Sequence, residues 1–184
     1  FLPAKTPQEL AEKILAVKEW LYEEPDRYHE LTDTYDAEFL RQAVYAGKLD
    51  IEDELNRIGV FTISFSCLPY RHSITGSRFQ TITTSGTAVT NPFITASKPY
   101  MKIYGSGDIS LTLQSNSKNA TWHFTEIDTY IEVDSNLMNF YKGSEPQNDK
   151  VVGDGFPQLY RGRNTISFTG DVSRIDLVPR WVTL

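Results

Sequence analysis

The side chains that most often do chemistry in proteins are few in this chain and widely spaced. Three histidines, His29, His72 and His123, share no metal-ligand spacing with one another or with the single cysteine, Cys67. A zinc site needs such spacing, because its ligands must converge on one ion. A nucleophilic pair of Cys67 and His72 is not supported either, since Cys67 falls on the predicted core face of a strand. We therefore predict no catalytic residue and no metal site.

Two further motifs are only partial matches to binding sites. Residues 105–108, Gly-Ser-Gly-Asp, resemble half of a dinucleotide fingerprint, but no third glycine follows and no helix opens there. They are typical of a hairpin turn. The acidic residues Asp149 and Asp154 miss the spacing of an EF-hand loop. We predict no bound cofactor.

Composition and charge exclude other classes of protein. The chain has 184 residues, 40% of them hydrophobic, and no apolar run approaches the roughly 20 residues of a membrane span. Its net charge is −6, and the whole excess of acid lies in residues 1–73, because residues 74–184 hold equal numbers of acidic and basic side chains. Phosphate contacts need clustered lysine and arginine, so we expect no sequence-specific binding of nucleic acid and no membrane partner.

The first predicted element is a helix. Residues 6–9, Thr-Pro-Gln-Glu, form a capping box with proline at the first helical position. The apolar side chains that follow recur at helical spacing and predict a helix that ends before Pro25; they are Leu10, Ile14, Val17 and Leu21, with Leu15 and Trp20 widening the stripe. Such a stripe usually packs on the sheet of its own domain, which we prefer to a partner-binding helix.

Two strands are predicted after the helix. Residues 38–46 fit either a helix or a strand, and their aromatic content and the following Gly47 favour a strand. Residues 60–68 alternate clearly, so Phe61, Ile63, Phe65 and Cys67 are predicted to face the core, with Pro69 ending the strand.

Residues 71–77 are polar, contain Gly76 and coincide with the change in charge. We predict a domain boundary here, giving domains of residues 1–73 and 74–184. Short alternating segments separated by turn signals follow, as in a β-sandwich. They are residues 79–84, 93–97, 100–104, 109–114, 121–127, 130–133 and 137–141, and residues 145–155 form a long polar loop.

The end of the chain is predicted to be a closing hairpin. Residues 164–169 alternate with Ile166 and Phe168 on one face, and Gly170-Asp171 suits a type II′ turn. Residues 172–178 would return with Ile175 and Leu177 in the core. The predicted fold class is mainly β with one N-terminal helix, the second domain being an antiparallel β-sandwich.

The amino-acid sequence of this C-terminal segment also resembles a known family. Residues 156–159 read F-P-Q-L, residues 164–170 read N-T-I-S-F-T-G, and residues 179–181 read P-R-W. The order resembles the C-terminal end of the distal tail proteins of long-tailed phages and prophages of Gram-positive bacteria. The run F-T-I-S-F-S-C-L-P-Y and the later Y-G-S-G-D-I-S-L-T-L follow the order of the same family.

The resemblance implies a structural virion protein and no enzyme. Distal tail proteins form a hexameric ring through their N-terminal domains, and their galectin-like C-terminal sandwiches project outward. The implied partners are other copies of the chain, the tail tube protein, the tail-tip hub protein, and baseplate or receptor-binding proteins. The implied location is the distal end of the phage tail, the protein being made in the bacterial host cytoplasm.

One departure and one alternative accompany the resemblance. Family members usually carry strands before the helix, so we expect that this chain starts inside the N-terminal domain. The alternative is a carbohydrate-binding module of a phage or bacterial surface protein, with Trp122 beside His123 as an aromatic platform. The galectin cluster of histidine, asparagine and arginine on successive strands is not found, which favours the structural role.

Overall fold

The computed structural model describes residues 4–47 and 63–184. The chain separates into two units, Phe1–Pro69 and Tyr70–Leu184. The first unit holds the helix α1 (Pro7–Leu21), the strands β1 (His29–Leu31) and β2 (Phe39–Tyr45), and the start of β3 (Phe65–Ser73). The strand favoured for residues 38–46 is therefore confirmed.

The helix α1 begins at its capping box. The Thr6 hydroxyl accepts a hydrogen bond from the Glu9 N–H at 3.1 Å, and the Glu9 carboxylate accepts one from the Lys5 N–H at 2.9 Å. Two backbone donors at the helix start are thus satisfied by side chains. The helix ends at Leu21, four residues before the Pro25 that was predicted to stop it.

The buried side of α1 is narrower than the predicted stripe. Ile14 and Leu21 are buried, and Tyr45 of β2 and Phe65 of β3 pack against them. The predicted members Leu15 and Trp20 are both more than half exposed, so their place in the stripe is wrong. Periodicity identifies the apolar side of a helix but not how far the neighbouring strands extend over it.

The prediction for Cys67 is also wrong, because its side chain is exposed on β3. Leu68 and Pro69 are exposed as well, and the strand continues through Pro69 to Ser73. Alternation shows that a strand has two different faces, but it does not show that another element covers one of them. Residues 60–62, including Phe61, lie outside the described residues.

Residues 71–77, the predicted boundary, have regular structure. Arg71 and His72 pair with the last strand, β13 (Val182–Thr183), and Thr75–Ser77 form a short 3-10 helix. A Cβ at the buried Gly76 would lie 2.5 Å from the backbone nitrogen of Trp181 and 2.9 Å from its indole Cδ1, so only glycine fits here.

The second unit is built from antiparallel strands. After the end of β3 they are β4 (Gln80–Ile82), β5 (Thr87–Asn91), β6 (Tyr100–Ser115), β7 (Asn119–Ile127), β8 (Tyr130–Asp134), β9 (Asn139–Lys142), β10 (Glu145–Pro146), β11 (Val151–Gly153), β12 (Gly162–Val178) and β13. Every pairing with a described register is antiparallel. The mainly β fold class with one N-terminal helix is confirmed.

Two predicted turns are wrong. β12 runs through Gly170 and Asp171 without turning, so the closing hairpin does not exist. Its partner β6 likewise runs through residues 105–108. The two strands pair along almost their full length, from Asn164 opposite Ser115 to Val178 opposite Tyr100.

The glycines of both segments serve bulges. Gly170 has a φ of +91°, and a Cβ there would lie 2.5 Å from the Asp108 carbonyl oxygen. The register shifts between Thr169 and Asp171, and again between Val172 and Arg174. A type II′ turn and a glycine bulge both use a positive φ, so the pair Gly-Asp cannot distinguish them in a sequence.

β6 and β12 lie in one nine-stranded sheet, and each changes its outer neighbour along its length. The first half of β6 pairs with β8 and its second half with β7, while β12 pairs with β5 at its start and with β4 near its end. β9 extends the sheet of β8, and β11 extends that of β7. The Phe124 ring of β7 meets the Phe140 ring of β9 edge to face at 6.0 Å, within one hydrophobic core.

The side chains predicted for this core are largely confirmed. Ile166, Ile175 and Leu177 are fully buried, whereas Phe168 is half-buried and packs against the cluster. The strand predicted at residues 93–97 is wrong apart from an isolated bridge between Ser97 and Leu159.

The buried Asn91 explains why residues 93–97 do not form a strand. Its amide donates to the Thr95 and Leu159 carbonyls and its side-chain oxygen accepts from the Phe93 N–H, so this segment is shaped by one side chain. β5, which ends at Asn91, was not predicted.

Candidate functional site

The three histidines do not form a site. The His29 ring lies 3.3 Å from the Glu24 carbonyl, and the His123 ring lies 2.8 Å from the Ser110 hydroxyl, while His72 lies on β3 opposite Val182 of β13. Over residues 4–47 and 63–184, no group of three or more histidine, cysteine or acidic side chains could hold a metal ion. In the same ranges no helix is long and apolar enough to cross a membrane.

The partial motifs have structural roles. The Gly105 N–H donates to the Thr129 carbonyl at 3.0 Å, so this segment does not form a phosphate-binding loop. Asp154 accepts from the Lys118 ammonium at 3.0 Å at the surface, and Asp149 lies in the 3-10 helix Asn148–Lys150.

Trp122 is not an aromatic platform. Its side chain is only 2% exposed, and its indole N–H donates to the Gly155 carbonyl at 2.8 Å. Gly153 on the neighbouring strand lies so close to the indole that a Cβ there would collide with it. A sugar stacks on the exposed face of an aromatic ring, and both faces of the Trp122 ring are buried. Trp122 is therefore a core residue.

A small polar cavity of about 150 Å³ lies at the edge of this indole, and Lys118, Asp154 and Tyr160 are among its lining residues. The lysine and the aspartate are already paired with each other. Asn164, at the same cavity, uses its side chain to bind the Tyr160 N–H and carbonyl. These polar groups hold the loop in place and are not left free for a ligand.

A second cavity of the second unit has a volume of about 280 Å³. We call it the basic groove, and Tyr70, His72, Ala96, Lys98, Arg180 and Val182 line it.

At this groove Arg180 forms an ion pair. Its guanidinium donates two hydrogen bonds to the buried carboxylate of Asp134, at 2.7 and 2.9 Å. Burial raises the pKa of Asp134, but the bonds from Arg180 and from the Leu137 and Asn136 N–H groups outweigh it and hold the pKa below its usual value.

The outer side of the sheet that contains β8 carries an aromatic surface. We call it the tyrosine face, and it consists of Tyr100, Lys102, Tyr104, Tyr130, Tyr141 and Arg174. The Lys102 ammonium lies 3.8 Å from the centre of the Tyr130 ring, and the Arg174 guanidinium lies 4.0 Å from that of Tyr104. Tyrosine and arginine are enriched at protein interfaces, so this face is a candidate contact surface.

Tyr100 anchors the tyrosine face through Glu132. Its hydroxyl donates to the Glu132 carboxylate at 2.6 Å. Burial raises the pKa of Tyr100, and the bond to Glu132 raises it further. Glu132 also accepts from the Gly143 N–H at 3.0 Å and lies 4.0 Å from Lys102, so one carboxylate fixes three neighbours.

The first unit presents an exposed aromatic residue on an ordered turn. The Asp33 carboxylate accepts hydrogen bonds from the N–H groups of Tyr35 and Asp36, both at 2.8 Å. Tyr35 itself is 101% exposed. We call residues 33–36 the Tyr35 turn.

Comparison with known proteins finds similarity among solved structures. No protein-family model matches the chain, and no curated protein sequence matches it. Among solved structures, the Dit protein of phage SPP1 aligns with 100% of this chain and 75% of its own, at a TM-score of 0.70 and 13% sequence identity. That protein is described as a paradigm of the hub adsorption apparatus in phages that infect Gram-positive bacteria.

The chain has the fold of that phage protein. The resemblance to distal tail proteins in the sequence is thus confirmed at the level of the fold. The sequence did not indicate the residues of the basic groove or of the Tyr35 turn. Arg180 lies within the family-like P-R-W, but no partner was predicted for it. Tyr35 lies in an acidic stretch for which no role was predicted. Tyr100, Lys102 and Tyr104, which share one face of β6, were a usable signal for the tyrosine face.

Proposed function

We propose that this protein is a structural component of a phage tail, located at the distal end, where it joins the tail tube to the tail-tip and receptor-binding apparatus. The observation that carries the proposal is the alignment of the entire chain with the Dit protein of SPP1. The order of sequence motifs along the chain, which resembles the distal tail family, is a second line of support that does not depend on the coordinates.

The two units would have different tasks in such an assembly. Residues 1–73 would contribute to a hexameric ring and contact the tail tube and the tail-tip hub. Residues 74–184 would form a galectin-like sandwich that projects outward. The excess of acid in residues 1–73 is compatible with a channel wall that does not retain passing DNA, because like charges repel.

The tyrosine face supports an attachment role for the second unit. Its cations already lie over tyrosine rings or beside carboxylates, as Lys102 lies beside both Tyr130 and Glu132. Such a face offers large, rigid aromatic side chains without an unpaired buried charge. We place the contacts with baseplate or receptor-binding proteins there. The mechanism would be geometric, and we assign no catalytic or cofactor-binding residue.

The proposal is tested in the phage or prophage that encodes the chain. Antibodies raised against the protein should label the end of the tail that is distal to the head in immunogold electron microscopy. Deletion of the gene should give filled heads without complete tails, and a plasmid copy should restore them. Absence of the protein from purified infectious particles would overturn the proposal.

The carbohydrate-binding alternative has lost its main support. It rested on Trp122 as a platform, and this side chain is buried in the core. His123, the neighbouring residue, is exposed, but its ring is engaged by Ser110. The structural role is therefore preferred.

A further inference from the structure

The basic groove of the second unit has the features of a side-chain receptor. Tyr70, Ala96 and Val182 give it an apolar part. Its volume of about 280 Å³ is enough to receive an aromatic side chain together with part of the backbone that carries it. Pockets of this kind are where aromatic anchors of a partner are found in protein complexes.

The charge of the groove selects its partner. Lys98 is exposed at the groove and makes no hydrogen bond or ion pair with the described residues, whereas the charge of Arg180 is matched by Asp134. Among the residues lining the groove in the described part of the chain, none is a carboxylate. The groove therefore favours an acidic partner segment.

The chain itself contains a segment with the complementary chemistry. In the Tyr35 turn, a fully exposed tyrosine stands between Asp33 and Asp36, and Asp33 fixes the backbone through two hydrogen bonds of 2.8 Å. The turn lies in residues 1–73, which hold the whole excess of negative charge. Because the backbone of the turn is already fixed, only the Tyr35 side chain has to be ordered on binding, which suits it to be an anchor.

We infer that the occupant of the basic groove is the Tyr35 turn of a second copy of this chain, with the Tyr35 ring in the apolar part and Lys98 facing the aspartates. The contact is heterologous, because the turn and the groove are different surfaces. Each copy keeps one free turn and one free groove after pairing, so copies add head to tail. This contact does not depend on the proposed place in the virion.

Sedimentation velocity of the purified protein over a range of concentrations tests the contact. The sedimentation coefficient should rise with concentration and fall when salt is raised from about 50 to 500 mM, since the charges are screened. Tyr35→Ala and Lys98→Glu should each weaken association at least about tenfold, the effect of losing a central anchor or reversing a facing charge. Tyr28→Ala and Arg161→Glu are matched controls, because both residues are exposed but belong to neither surface.

Mixing the two variants gives the sharper result. The Tyr35→Ala protein keeps an intact groove and the Lys98→Glu protein keeps an intact turn, so together they can form one contact only. The mixture should contain one-to-one complexes and nothing larger, at concentrations where each variant alone stays monomeric. Circular dichroism of each variant checks that it is folded.

Three results would overturn the inference. They are a wild-type protein that does not associate at any concentration, association that survives both Tyr35→Ala and Lys98→Glu, and a variant mixture that stays monomeric or grows beyond dimers. Each of these would leave the virion location untouched, because immunogold labelling reports location and not this contact.

Discussion

Arg180 binds Asp134 through two hydrogen bonds of 2.7 and 2.9 Å, and so links the segment before β13 to the end of β8. The same Asp134 carboxylate accepts from the Asn136 and Leu137 N–H groups, both at 3.0 Å. The Asp134 side chain is almost fully buried, whereas about a third of the Arg180 side chain is exposed. Removing the arginine would leave a buried carboxylate without its counter-ion.

Arg180→Met should lower the free energy of unfolding at pH 7 by about 2 to 3 kcal/mol, somewhat less than for a fully buried pair because Arg180 is partly exposed. The pKa of Asp134 is lowered in the folded protein, so the pair stabilises above the unfolded pKa and this contribution is lost as the pH falls through the folded value. The difference between wild type and variant should therefore shrink below about pH 4. Urea titrations from pH 7 to pH 2 measure it. Lys118→Met, which removes an ion pair at the surface, should leave stability nearly unchanged at any pH.

Gly170→Ala should destabilise the second unit by more than Gly86→Ala does. Both glycines have a positive φ, +91° and +85°, so both variants carry backbone strain of about 1 kcal/mol. Only at Gly170 does the new Cβ meet the Asp108 carbonyl, whereas it meets nothing within 4 Å at Gly86. Thermal unfolding should show at least about twice the loss for Gly170→Ala. Equal losses would mean that β6 and β12 do not approach closely at the bulge.

Trp122→Ala should cost about 3 to 5 kcal/mol, the range for a large buried aromatic side chain. The wild-type protein should bind glucose, galactose and N-acetylglucosamine no tighter than about millimolar in calorimetric titrations, because no open ring face is offered at this position. His123→Ala, next to it but exposed, should leave stability nearly unchanged. A micromolar saccharide that is lost with His123→Ala at full stability would restore the carbohydrate-binding interpretation.

Thr6→Ala should weaken the start of α1 by about 1 kcal/mol, since the Glu9 N–H loses its side-chain acceptor. Hydrogen exchange of the first helical turn measures this local change. Thr32→Ala, an exposed threonine outside the helix, is the control and should leave exchange in α1 unchanged. Faster exchange in both variants would indicate general destabilisation and contradict the capping role.

Local signals in the sequence predicted local structure well. The capping box gave the start of α1, and alternation gave the buried Ile175 and Leu177. Burial at Phe168 is only partial, so Phe168→Ala should cost less than the 3 to 5 kcal/mol expected for a fully buried ring. Alternation indicates which face is apolar, but the depth of burial depends on strands that are distant in sequence.

The wrong predictions of turns arose because glycine occurs both in turns and at bulges within strands. Gly170 and residues 105–108 have the composition of turns, yet they lie at the irregular positions where β12 and β6 shift register. Cys67 lies on the same alternating face as Phe65, which packs against α1, but this cover does not extend as far as Cys67. The surfaces of the candidate site depend on tertiary partners such as Asp134 and Arg180, which are 46 positions apart. No spacing rule connects two such positions.

The continuous ladder between β6 and β12 has a mechanical consequence. Because β7 and β8 pair with β6 while β4 and β5 pair with β12, separating β6 from β12 would divide the whole nine-stranded sheet in two. Force that pulls β6 and β12 in opposite directions along their length would load all the hydrogen bonds between them at the same time, and not one after another. A protein that must transmit strain between neighbouring parts would gain from this arrangement, since it resists shear until the whole ladder yields at once.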